Sequence, residues 1–212
     1  MLDCCMFVIQ VLIDWRKKVM KQLLIKQAVF LPIIYFGAII IAGFFANDYT
    51  HLGQQASELG VNSSKSAVIL FKIGVLLTSI SLFALAIGLL LNFKNKFTLS
   101  SILIFAFGVT FIFGAIYPIG SPWHGFYGLG LFIMILPFVF LYESGDQLNN
   151  KVVRRISVAA GLLMFFYLWS MIARLDPINY RGLTQRLFGI VVFGWFSFIS
   201  YHLSKLINKD IH

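Results

Sequence analysis

The chain reads as an all-α integral membrane protein: a bundle of six transmembrane helices with both termini cytoplasmic and a short amphipathic helix at the amino end. Three observations predict this. Of the 212 residues, 59% are hydrophobic and only 12% charged, about half the charged share of a soluble domain, and the mean hydropathy is +0.88. Six apolar stretches each approach the ~20 residues needed to cross a 30 Å hydrocarbon slab. The loops between them alternate between strongly basic and mixed-polar character, which fixes an orientation. Nothing shows the dyad alternation of a barrel, so the spans must satisfy their backbone groups as helices.

Residues 1–27 form a cytoplasmic amphipathic segment. Leu2, Phe7, Val8, Val11, Leu12, Trp15 and Val19 are apolar, and Asp3, Gln10, Asp14, Lys17 and Lys21 recur at helical spacing, the pattern of a helix lying in the interface. Translation starting at Met20 is the alternative. The charges follow the apolar stretch instead of preceding it, unlike a secretory signal. The membrane domain covers 28–205, with spans near 28–46, 67–91, 99–117, 125–142, 156–172 and 187–203, and 206–212 form a cytoplasmic tail. Pro32 stands near the start of the first span, where a missing N–H is tolerated.

Twelve of the 17 lysines and arginines lie in the amino-terminal segment, the second and fourth loops and the tail; five lie on the other side. The first set marks the cytoplasmic face. A net charge of +9 would suggest nucleic acid in a soluble protein. Because these cations flank spans, the expected partner is membrane lipid, with no nucleic acid. Cys4 and Cys5 are adjacent, which suits neither a disulfide framework nor a metal site of usual spacing.

The outward side gathers the groups with chemical potential: Asp48, His51, Glu58, Lys65, His124, Arg174, Asp176, Arg181, Gln185 and Arg186. Glu58 lies in a loop of some twenty residues, long enough to be either functional or disordered. Leu59 and Gly60 suggest that this loop folds back onto the bundle, and the plainer role for Glu58 is to cap or solvate it. His124 follows Pro118-Ile119-Gly120-Ser121-Pro122-Trp123, a stiff turn that sets it at the mouth of the fourth span. The positive end of a helix there disfavours imidazolium and leaves a ring able to take a proton. Alternatively His124 bonds a loop carbonyl while Trp123 anchors the interface. Arg186 is placed to hold Glu58 or a phosphate in bidentate fashion, or to snorkel. Lys72, two turns below Lys65, either snorkels or faces a polar cavity as partner to Glu58.

Hydroxyls inside the spans are more often interhelical donors than nucleophiles. The signatures of serine hydrolases, zinc proteases, phosphate loops and redox dithiols are absent. His51, Glu58 and His124 could offer zinc ligands from separate segments, without regular spacing; no metal and no cofactor is expected.

In order, Ser57-Glu58-Leu59-Gly60, Phe71-Lys72-Ile73-Gly74, the Pro118-to-His124 turn and Gly182-Leu183-Thr184-Gln185-Arg186 resemble a bacterial and archaeal membrane family, domain of unknown function 998, over residues 28–205. The resemblance implies a cytoplasmic-membrane bundle of six helices with Glu58, His124 and Arg186 as signature polar positions, and no activity. Lys72 departs from it, standing where a smaller polar residue such as asparagine is expected.

Two functions compete. One is a binding protein whose outer pocket holds an anionic lipid headgroup or a partner through Arg186, Arg181, Gln185, Lys72, Asp176 and Glu58. The other is a lipid hydrolase or transferase with His124 as general base, Glu58 orienting it and Arg186 as electrostatic clamp. A transporter has less support, because no inverted repeat is evident. The enzyme reading requires His124 and Glu58 within hydrogen-bond reach.

Overall fold

The computed structural model describes residues 19–93, 96–145, 150–173, 175 and 177–209. Among them every regular element is helical. Five helices are long and apolar enough to cross a membrane: Val19–Phe44, Lys65–Asn92, Thr98–Ile116, Lys151–Ile172 and Ile178–Ile207. We label Val19–Phe44 α1, Lys65–Asn92 α2, Thr98–Ile116 α3, Leu136–Ser144 α4, Lys151–Ile172 α5 and Arg181–Lys209 α6. The amphipathic pattern over 1–18 lies outside the described residues.

Large apolar side chains face outward as well as inward. Phe44 is 82% exposed and Ile172 71%, an arrangement water would penalise and lipid does not.

The first span begins earlier than its composition suggests, because α1 runs through residue 27 without a stop. Gln27 belongs to the helix and spends its amide on α2. Its Nε2 donates to the carbonyls of Leu24 (3.0 Å) and Ser81 (2.9 Å), while the Ser81 hydroxyl donates to its Oε1. Residues Gln27–Phe30 tighten into a 3-10 turn before Pro32, which has no N–H to return to residue 28. The Ala28 carbonyl accepts from the Leu31 N–H instead, and the next carbonyl, that of Val29, accepts from the Ser197 hydroxyl of α6, 2.7 Å away.

Along α2, Ala67, Gly74, Ser81 and Gly88 recur every seven residues, the period that keeps one seam against a partner helix. A Cβ on Gly74 would run into the Ala38 side chain, and one on Gly88 would press Ile25 at 2.8 Å. The missing side chains therefore set how closely α1 and α2 approach.

The expected fourth span is not one helix. Phe126–Met134 is 3-10 and only Leu136–Ser144 is α-helical. Positive φ at Phe126 (45°) and Gly128 (84°) breaks the helical path, and Pro137, lacking an N–H, starts α4 afresh. At its far end, Glu143 accepts from the N–H groups of Leu99 (2.7 Å) and Ser100 (2.8 Å) at the start of α3. A carboxylate there satisfies two orphan donors and complements the helix dipole. An aromatic core, with Phe97 stacked on Phe140 (5.1 Å) and Phe140 edge-on to Trp195 (5.6 Å), packs α3, α4 and α6 together.

Candidate functional site

The loop after α1 folds back as expected and becomes part of the bundle. Ala56 and Leu59 are buried among Ile39, Ala42, Phe71, Val75 and Ala115. Residues Ala56–Val61 form a 3-10 turn closed by a capping box, in which the Gln55 N–H donates to Glu58 Oε1 at 2.8 Å. Gln54 Nε2 donates to the other carboxylate oxygen at 3.3 Å. Glu58 thus holds the loop's own geometry, the plainer of its two sequence-level roles.

The loop is fastened to the start of α6. Arg186 donates through Nη1 to the carbonyls of Gln54 (3.1 Å) and Gly182 (2.7 Å), and through Nη2 to the Tyr49 hydroxyl (2.5 Å) and to His51 Nδ1 (3.1 Å). These four bonds use four of its five N–H donors, and none goes to a carboxylate. The bidentate pairing of Arg186 with Glu58 is therefore not formed. Gln185 Oε1 accepts from the Ala56 N–H (2.7 Å), and the Leu183 N–H donates to Leu52 O (2.9 Å). At Gly182 a Cβ would collide with the carbonyl oxygens of Gln54 and His51. The Gly182-to-Arg186 motif is the seat of the loop after α1.

Burial pushes the Tyr49 phenol upward, against the nearby Arg186 guanidinium, so it stays protonated, accepts from Arg186 and donates to Gln55 O (3.4 Å). For His51, burial first and the Arg186 charge second lower its tendency to protonate. Its Nδ1 accepts from Arg186, so protonation removes that bond. With its folded pKa below the ordinary 6.5, the unfolded chain binds the proton more readily, and stability falls as pH drops from about 6.5 toward the folded value. Thermal melts between pH 7.5 and 5 should show this decline in wild type and a weaker one in His51→Gln; equal slopes would dismiss the coupling.

Beneath the seated loop lies a cavity of about 230 Å³, bounded by Tyr35, Ala56, Ser57, Phe71, Val75, Thr110, Phe111, Gly114, His124, Gly125, Gly130 and Gln185. Tyr35 and Thr110 place its floor roughly 10–15 Å below the ends of their helices, at 1.5 Å per residue. A smaller cavity of about 110 Å³ adjoins it, lined by Ser57, Gly60, Lys72, Gly114 and Tyr117 among others. Ser57 and Gly114 border both. Lys72 faces the smaller chamber and makes no hydrogen bond or ion pair among the described residues, so the partnership with Glu58 is not made.

His124 stands at the large cavity's edge because the chain ahead of it turns tightly. Gly120 at φ 91°, with the Ser121 N–H on Pro118 O (3.2 Å), makes a type II turn, and the His124 N–H then bonds Ser121 O (3.0 Å). His124 Nδ1 lies 2.8 Å from the Tyr117 carbonyl. A carbonyl only accepts, so Nδ1 carries a proton, and the tautomer this selects is the one with the Nε2 lone pair. His124 therefore bonds a loop carbonyl, as its plainer reading had it, while still lining the cavity. Glu58 does not orient it; the Tyr117 carbonyl does. Phe113, Tyr117 and Trp123 stack beside it, with Tyr117 and Trp123 centroids 5.9 Å apart.

The structure thus joins Gln185 and His124 at one cavity, sets Lys72 in the next, and places Glu58, His51 and Arg186 in the scaffold above. Arg181 is exposed at the start of α6, and Asp176 lies outside the described residues. Among the described residues no three His, Cys, Asp or Glu side chains cluster as metal ligands. Sequence reasoning missed Tyr35 and Thr110 as cavity lining, because isolated hydroxyls in apolar stretches look like helix-packing groups, and it missed Ser57 because a serine in a polar loop reads as solvated. Tyr49 carried no signal beyond its loop position.

No curated protein and no solved structure matches the chain. The model of the family described as protein of unknown function (DUF998) matches residues 29–202, a stretch that includes the loop after α1 and its seat on α6, and the chain belongs to that family.

Proposed function

We propose that the protein crosses a cytoplasmic membrane six times, with both termini inside, and binds an anionic lipid headgroup in the paired outer cavities. The excess of cations at one end of the bundle supports the orientation. A sixth crossing is supported by length: nine 3-10 and nine α residues span about 30 Å at 2.0 and 1.5 Å per residue. The observation that carries the binding reading is Lys72, which has no hydrogen bond or ion pair among the described residues and lines the smaller cavity, joined through Ser57 and Gly114 to the larger one where Thr110, Gln185 and His124 meet apolar surface. Ionisable groups at membrane depth are retained for a ligand or pathway. Arg186 serves this reading indirectly, by holding the loop that roofs the cavity.

One observation favours the hydrolase reading: the His124 Nε2 lone pair and the Ser57 side chain border the same cavity, the ingredients of a base and a nucleophile. In this version the Tyr117 carbonyl replaces Glu58 as the orienting group.

A phospholipid with a photoactivatable diazirine in its headgroup, reconstituted with the purified chain, tests both. Cross-links should map to peptides around 54–72 and 110–130. Gly114→Leu, which fills the space shared by both chambers, should abolish them, and Lys72→Gln should reduce the preference for phosphatidylglycerol over phosphatidylcholine roughly fivefold. Undiminished cross-linking in Gly114→Leu would remove the cavity from consideration. In the same mixture, lysolipid released by wild type and not by His124→Gln supports hydrolysis, and no release by wild type eliminates it.

A further inference from the structure

We propose a second lipid site, independent of the outer cavities: a groove at the Lys151 end of α5 that holds one anionic phospholipid by its phosphate and the start of an acyl chain. The groove encloses about 450 Å³ and is lined by Lys151, Arg154, Arg155, Val158, Ala159 and Leu162. Their spacing puts all six on one stripe of the helix, the cations on the first turn and the apolar residues one and two turns deeper. All six are exposed, and none of the three cations makes a hydrogen bond or ion pair among the described residues. No acidic residue occurs on α5 itself. Trp195 and Ser157 tie the helix to α6 on its other side, with the indole N–H donating to the Ser157 hydroxyl at 3.0 Å.

Charge complementarity names the occupant. Two guanidiniums and an ammonium within one turn match a phosphate, which arginine grips in bidentate fashion. The Val158, Ala159 and Leu162 wall begins about 6 Å further along the helix, where a lipid's glycerol gives way to hydrocarbon. A soluble anion would use the cations and ignore that wall; an anionic phospholipid uses both. Each cation near an anionic surface contributes on the order of a factor of five in affinity, so three together supply roughly a hundredfold preference over a zwitterionic lipid.

Native mass spectrometry of the full chain in detergent, with added phosphatidylglycerol or phosphatidylcholine, reads this directly. Wild type should retain phosphatidylglycerol preferentially. The variant Lys151→Gln/Arg154→Gln/Arg155→Gln should lose about a hundredfold of that preference, while Lys21→Gln/Lys26→Gln/Lys205→Gln, which removes the same charge elsewhere at that end of the bundle, should keep it. Ala159→Trp leaves every charge in place and fills the groove, and it should also displace the lipid. Equal losses in the two triple variants would mean diffuse attraction and overturn the site, as would full retention by Ala159→Trp. Displacement by millimolar inorganic phosphate in place of lipid would overturn the acyl contribution and with it the proposal.

Discussion

Replacing Gly182 with alanine should detach the loop after α1 from α6 and lower stability by about 3 kcal/mol, near the upper end for over-packing. For a chain of this size that is a fall of roughly 6–12 °C in Tm. The cost is high because the added methyl meets the carbonyl oxygens of Gln54 and His51 and the Arg186 Nη1. Flexible side-chain ends could swing aside, but two of these three atoms are backbone. They belong to a segment already pinned by the Leu183–Leu52 bond and by Gln185 on Ala56. Relief therefore requires lifting residues 51–56 as a unit, which opens the cavity beneath. Limited proteolysis at residues 45–64 alongside a thermal melt reads both effects. An unchanged Tm with a still-protected loop would show that the Gly182 contact is not what seats it.

Arg186→Gln should cost about 2–4 kcal/mol, since hydrogen bonds from a charged donor are individually worth more than neutral ones and several are lost together. Its acceptors come from three stretches: Tyr49 and His51, the Gln54 carbonyl, and the Gly182 carbonyl. Arg186→Lys should recover little, because an ammonium is a point donor and cannot span these directions as a planar fork does. The two changes act on one junction, so they should combine sub-additively: with the loop already lifted by Gly182→Ala, Arg186→Gln adds little. Full additivity in the double variant, measured by denaturation in detergent, would mean that Arg186 stabilises something other than the loop seat. A rescue to wild-type stability by lysine would leave charge alone as the explanation.

Both expectations give Arg186 a role that its position in the sequence left open. Beside Glu58 in an outward set of charged residues, it looked like half of an ion pair or a phosphate clamp. Which of these a guanidinium becomes depends on the acceptors around it, and three of its four come from residues more than a hundred positions away. Glu58 shows the same dependence. Its capping box is local, three residues long, and its loop role was legible. That both of its oxygens are engaged within its own loop, while His124 bonds the Tyr117 carbonyl instead, was not.

Other features were legible because they depend only on neighbours along the chain or on the average solvent. The apolar runs marked the helices that are long enough to cross, since backbone groups in lipid must be satisfied within a segment. The prolines and Gly120 marked the turn that delivers His124 to the cavity, because their φ preferences are intrinsic. Continuity of the fourth segment was misread for a matching reason: its hydropathy is that of a helix, and hydropathy does not register the positive φ at Phe126 and Gly128 that diverts it into 3-10 form.

By itself, then, the sequence determined that this protein is helical, apolar enough for lipid, polarised by its cations, and built from the ordered motifs of its family. Composition, periodicity and charge are sums over residues and survive without coordinates. Only the tertiary structure decided that Gly182-to-Arg186 is a seat for the loop after α1, that Lys72 stands without a partner among the described residues in the smaller cavity, and that His124 borders the larger one with Ser57 and Gln185. Hydrogen bonds and cavities depend on distances between residues remote in the chain, and only the packed bundle sets those distances.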